Sequence, residues 1–155
     1  MSYAEATTVP FERSVSEIVT MLKRAGAAQI GQMDDDAFYA IQFTLADRMI
    51  RFRLPLPSIN DMPTRNGRNQ TLTNSQRLDR LAQAKRSKGR ALMLVIKAKL
   101  ESVECGIETV EQAFLSNVVM ADGATVYERI SRPIALEYAS GKPDGVAGLL
   151  GGPGK

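Results

Sequence analysis

The side chains of this chain best suited to chemistry are cations. Arg51 and Arg53 alternate with apolar residues, Arg65 and Arg68 flank Asn66-Gly67, and Arg77, Arg80, Arg86, Arg90 and Lys97 recur through the run that follows. Between Arg48 and Lys99 stand 13 Lys and Arg against Asp61 and Asp79, a local charge of +11. The remainder has 7 against 15, or −8, so the formal +3 conceals a strong polarity. Flexible positive side chains spread over a strand, a loop and a helix suit successive phosphates, each of which releases condensed counterions when it is neutralised. These nine residues are the candidate nucleic-acid-binding set. Base stacking needs aromatic rings; Trp is absent and Phe52 falls on an inward face, so base readout is not indicated. The competing reading is a solvated surface, in which Lys97 pairs with Glu101 four residues on and Lys85 or Lys99 lies along the core margin.

Other chemistry is poorly provided for. The chain has no His and a single cysteine, Cys105. That removes the commonest acid-base group at neutral pH, the usual activator of a cysteine nucleophile, a structural zinc site and an intrachain disulfide. Cys105, late in a helical run, reads as core. Asp34-Asp35-Asp36 is the one acidic cluster, but neighbouring residues in a turn point apart whereas a cation needs convergent oxygens, so it reads as a turn. No Gly-x-Ser-x-Gly elbow, Walker loop or dinucleotide-binding glycine pattern occurs. The expectation is a non-enzymatic protein with no catalytic residue, no metal site and no cofactor.

The elements that must position the cations are legible as periodicities. Ser75 to Gly106 contains no proline and is rich in strong helix formers, predicting one long helix capped by Asn74 or Ser75. Leu78, Leu81, Ala82, Leu92, Ile96, Leu100 and Val103 share one face, and Ala91, Leu94, Ala98 and Cys105 form a second apolar set behind it, which predicts a central, nearly buried helix. Tyr39, Ile41, Phe43 and Leu45, then Ile50, Phe52 and Leu54, alternate with other residues as two strands. A two-residue turn at Ala46-Asp47 pairs Phe43 with Ile50 and Ile41 with Phe52, so the apolar faces coincide; a slip of one residue would bury the arginines. Ala28 to Met33 adds a strand through a turn at residues 34–37, with Ala28 and Ile30 inward and Gln29, Gln42, Thr44, Arg51 and Arg53 outward.

Ser14 and Glu17 form a capping box that predicts a first helix with Val15, Ile18, Val19, Leu22 and Ala25 inward, ended by Gly26. Thr109 and Gln112 predict a short helix through Val119 with Val110, Ala113, Phe114 and Val118 inward. Asp122-Gly123 is a turn, Ala124 to Ile130 fits a strand or a helix start, and Pro133 suits the start of another helix that Gly141 ends. The organisation predicted is a flexible arm at residues 1–13, a single α+β domain at 14–140 with a long loop at 58–74, and a flexible tail at 141–155. The architecture is an N-terminal helix, a three-stranded antiparallel sheet, a long central helix and a small helical C-terminal part. The start MSYAEATTVPFERS has no apolar leader and no run approaches membrane-spanning length, pointing to a soluble cytoplasmic protein of a bacterial host.

Two pieces, MIRFRLPLP at residues 49–57 and RALMLVIKAKLESVECGIETVEQAFLSNVVMADGATVYERI at residues 90–130, with the first helix ending in RAGA, resemble a widespread set of small phage and prophage proteins. Three antiparallel strands followed by a long helix is also similar to the core of phage single-strand annealing proteins of the RecT, Redβ and Erf type. That second resemblance implies rings or filaments holding a DNA backbone in a basic groove. The function expected is thus a phage non-enzymatic nucleic-acid-binding protein, homo-oligomeric, that anneals or protects single-stranded DNA. Two other readings use the same charge: a phage inhibitor whose basic block meets an acidic host or defence protein, and a virion or scaffold component whose helix faces assemble.

Overall fold

Strict alternation builds the sheet. In this computed structural model, which describes residues 2–143, β1 (Ala28–Asp34), β2 (Phe38–Leu45) and β3 (Arg48–Pro55) form an antiparallel sheet in the order β1-β2-β3. Burial alternates residue by residue along β2, the central strand. The β2–β3 register is the expected one, with Leu45 opposite Arg48, Phe43 opposite Ile50 and Ile41 opposite Phe52. Ala46 and Asp47 both take left-handed backbone, φ 49° and 59°, which makes the connection the hairpin turn whose twist matches the strands.

Helices cover the inner face. α1 (Phe11–Arg24) and α2 (Asn74–Glu104) pack on each other and on the sheet; α3 (Val110–Ala113) and α4 (Val126–Ser140) follow. The core is Ile18 and Leu22 of α1, Tyr39, Ile41, Phe43, Ile50 and Phe52 of the sheet, Leu92, Met93 and Ile96 of α2, and Phe114. Phe114 receives Phe43 and Phe52 edge-on at 6.0 and 6.1 Å between ring centroids, a favoured aromatic geometry. The fold class is α+β, as the periodicities indicate.

Several local expectations are corrected. α1 begins at Phe11, not Ser14: Pro10 supplies its fixed φ and its carbonyl accepts from the amides of Arg13 and Ser14. Ser14 then falls inside the helix, fully buried, with no hydrogen bond to its hydroxyl among the described residues. The segment before it is anchored, because the Gln83 amide on α2 donates to the carbonyls of Glu5 and Thr7, both at 2.9 Å, and Ala4 is buried. Ala28 faces outward opposite Thr44, since a bulge at Gln29, φ 52°, resets the alternation before Gly31. Ala25 is exposed.

α2 is capped by Thr73, whose hydroxyl accepts from Gln76 N while the Gln76 side chain accepts from Thr73 N, one position earlier than expected. It is also less buried than its apolar content suggests. Only Gly89, Leu92, Met93 and Ile96 are buried, whereas Leu78, Ala82, Val95, Ala98 and Cys105 are exposed. The reason is length: strands of eight residues span about 26 Å whereas a helix of 31 residues runs about 46 Å, so the sheet covers only the middle of α2. After the Asp122-Gly123 turn, α4 is one helix, opened by a Thr125–Glu128 capping box and ended at Gly141 with φ 66°. Pro133 does not start a separate helix but lies buried within α4, because the capping box has set the start about two turns earlier. The expected tail beyond Pro143 lies outside the described residues.

Candidate nucleic-acid interface

The loop that carries Arg65 and Arg68 is an ordered finger rather than structureless chain. Arg65 and Thr71 bridge antiparallel, Leu72 N donates to Thr64 O at 2.8 Å, and Asn66 organises the tip. Its side-chain oxygen accepts from Arg68 N and Gln70 N, and its amide donates to Gln70 Oε1. Asn69 takes φ 60°, a conformation asparagine tolerates. The Arg65 guanidinium donates to Asn69 O at 3.0 Å, leaving Arg68 exposed at the tip. Asn and Gly are the turn signals here; the side-chain bonds that give the finger its shape have no periodicity to announce them.

Arg77 fixes the finger's root. Its guanidinium donates to Ile59 O at 2.9 Å and Met62 O at 3.4 Å, seating the short 3₁₀ turn Ile59–Asp61 beside the first turn of α2. Asp61 is committed to Ser58 N and Oγ, and the Ser58 amide and hydroxyl hold its carboxyl below the usual range. Arg77 is therefore a structural cation that holds the root of the finger carrying Arg65 and Arg68.

The remaining candidates divide into two groups. Arg90 is bound to Glu17 of α1 at 2.7 Å. Arg51 donates to Gly123 O at 2.8 Å with Glu128 at 3.6 Å, tying β3 to the start of α4. Arg86 is held by Gln83 and lines an open cleft of about 540 Å³ together with Lys85, Glu12, Asp34, Asp35 and Asp36. Lys97 makes no ion pair with Glu101 and sits toward the opposite end of α2, lining clefts that include Glu17, Glu101 and Glu104. Arg53, Arg65, Arg68 and Arg80 are exposed, and none forms an ion pair among the described residues; Arg53 lies over the Phe38 ring at 4.4 Å. Lys88, counted in the basic run but outside the candidate set, belongs with this second group. The facing of Asp34–Asp36 and Arg86 is invisible in the sequence, since only tertiary packing brings the β1–β2 turn to α2.

Asp34 ends β1, one residue later than expected, and Asp35 and Asp36 lie in the turn: Asp35 Oδ1 accepts from Ala37 N at 2.6 Å and from Phe38 N. Among the described residues no group of three or more His, Cys, Asp or Glu is placed to hold a metal ion, and no helix is long and apolar enough to cross a membrane. Cys105 is exposed, not core, since it follows the part of α2 that the sheet covers; its Sγ hydrogen bond to Glu101, and then that carboxylate's charge, raise its pKa. Compared with known proteins, the chain matches no family model, no curated protein and no solved structure.

Proposed function

We propose that the protein is a non-enzymatic nucleic-acid-binding protein, of the phage type its sequence resembles, that holds the phosphate backbone at the end of the molecule formed by the finger and the first half of α2. The observation that carries this reading is the distribution of unpaired charge. Arg90 and Arg51 are neutralised within the fold, whereas Arg65, Arg68, Arg80, Lys88 and Arg53 stand exposed without a carboxylate among the described residues. Local potential, not net charge, attracts a polyanion.

The finger adds preorganisation. Asn66 and Arg77 hold it in one shape before any ligand arrives, which lowers the ordering cost of an interaction through Arg68. Interactions of this kind read the backbone and not the bases, and among the described residues the one aromatic ring that lies under an unpaired arginine, Phe38, is already covered by Arg53. Single-stranded DNA is the favoured ligand, because a flexible strand can follow cations divided between a finger, a helix and a sheet face.

The test is binding of a labelled single strand, and of the same sequence as duplex, to the wild type and to Arg68→Ala and Arg80→Ala. Each change should weaken binding to a similar degree for unrelated sequences while leaving the melting temperature in place. An acidic protein as ligand predicts instead negligible affinity for either nucleic acid at low salt, where backbone attraction is strongest, and loss of that protein on the same substitutions.

A further inference from the structure

The two edges of the sheet are treated differently. Along β3, Val119 N donates to Met49 O at 2.8 Å and Val118 bridges Ile50, so the chain's own segment covers the Met49–Ile50 part of that edge. Along β1 the ladder to β2 uses one side, and no described element bonds to the other. Gly31 to Asp34 are exposed, Ile30 is half-buried, and the strand has neither lysine nor proline, the residues that ordinarily blunt an open edge. We propose that β1 pairs antiparallel with β1 of a second copy, about a two-fold axis through Gln32, joining two sheets into one of six strands.

The strand is self-complementary about that axis. Gly31 falls opposite Met33 of the second copy, and Met33 opposite its Gly31. Both lie on the outer face, where they pair with Gln42 and Ala40 of β2. Met33 is 60% exposed, and a Cβ at Gly31 would meet nothing within 4 Å, so the methionine has an open floor to lie on. At the axis Gln32 meets Gln32. The Tyr39 hydroxyl donates to Gln32 Oε1 at 2.7 Å, which orients the amide and leaves its NH₂ to donate across the axis. The one charge on the ladder, Asp34, is sent to opposite ends in the two copies, which avoids like charges facing each other.

α1 supplies a second complementarity. Arg13, Glu17, Thr20, Met21 and Arg24 face Arg90 and Lys97 across a cleft, which identifies the flank of α1 turned to α2. At about 100° per residue, Val19 and Lys23 occupy the other flank, on the β1 side, together with Glu12, which also lines the cleft that holds Asp34–Asp36, Lys85 and Arg86. α1 runs antiparallel to β1, and Phe11 meets Tyr39, the residue opposite Asp34. Glu12 therefore lies toward the Asp34 end and Lys23 toward the Ala28 end. The same two-fold turns these flanks toward each other, with Glu12 on the side of the second copy's Lys23, Lys23 on the side of its Glu12, and half-buried Val15 and Val19 between them. Neither Glu12 nor Lys23 forms an ion pair within its own chain among the described residues. Opposed helices with acid at the N-terminus and base at the C-terminus also match their dipoles. An unrelated peptide strand would satisfy the β1 backbone, but only a second copy supplies all of these complementary groups.

The pairing stands independently of nucleic-acid binding, and its test contains none. Sedimentation equilibrium at tens of micromolar should give twice the chain mass of 16.9 kDa. Met33→Lys places a charge beside the axis on an exposed position and should weaken association about tenfold or more, with the melting curve confirming the fold. Glu12→Lys should weaken it through repulsion with Lys23, and adding Lys23→Glu to that variant should restore it. A monomeric wild type, an association indifferent to both Met33→Lys and Glu12→Lys, or failure of the double charge reversal to recover the association that Glu12→Lys weakens, would overturn the proposal.

Discussion

Gly89 of α2 lies against the ring of Phe11 of α1 so closely that a Cβ at position 89 would come 2.6 Å from Phe11 Cδ2 and 3.1 Å from Cε2. The absence of a side chain there is what lets the two helices approach, and it places a buried glycine in mid-helix where local propensity would choose alanine. Phe11 in turn packs edge-on against Tyr39 at 5.5 Å, so it cannot retreat without disturbing the core. Gly89→Ala should therefore destabilise the protein by about 1–3 kcal/mol through overpacking, outweighing the gain of roughly 1 kcal/mol in helix propensity. A raised melting temperature for that variant would contradict the close approach.

The hairpin stores a correctable strain. Ala46 and Asp47 both hold positive φ, and a left-handed conformation costs an alanine about 1–2 kcal/mol. The double change Ala46→Asn and Asp47→Gly installs the dipeptide that this turn prefers and should raise stability by about 1 kcal/mol after the added backbone entropy of glycine is offset. Denaturant unfolding with an unchanged slope and a higher midpoint is the expected result; a lower midpoint would show that the turn has a different geometry.

Tyr39 provides a pH signature. Burial first, and then the charge of Asp34, push its pKa from 10.0 to about 12. Its neutral form is thus favoured by folding, so the stability it contributes is complete below pH 10 and is lost as pH rises from 10 toward about 12. Of the four tyrosines, Tyr39 should be the last to ionise when tyrosinate absorbance is followed upward in pH, and Tyr39→Phe should delete that late step. A variant whose remaining titration still shows the late step would assign it elsewhere.

The sheet is readable from sequence because its signal is local and of period two: the alternation in Tyr39–Leu45 and Ile50–Leu54 rejects a one-residue slip, which would bury Arg51 and Arg53, and the two-residue turn at Ala46-Asp47 selects the register that the structure has. Gly26, Gly106 and Gly141, all at positive φ, mark helix ends for the same local reason. What local pattern does not carry is global. The extent of burial along α2 depends on the length of the sheet beneath it, so apolar residues at Leu78 and Ala98 end up exposed. The fate of several arginines depends on residues far away in sequence: Glu17 for Arg90, Gly123 for Arg51, Ile59 for Arg77. Charge can be counted along the chain, but which charges remain unpaired is decided by the fold.

The most direct test of the nucleic-acid reading is the salt dependence of binding to a single strand, comparing the wild type with the triple variant Arg65→Ala, Arg68→Ala, Arg80→Ala. If these three arginines neutralise phosphates, the wild type binds tightly at low salt and the magnitude of its log-log salt slope falls by about 2 in the variant, roughly 0.7 for each phosphate no longer neutralised, while both proteins melt alike. A wild type that fails to bind at low salt, or a slope that the triple variant leaves unchanged, would contradict the account.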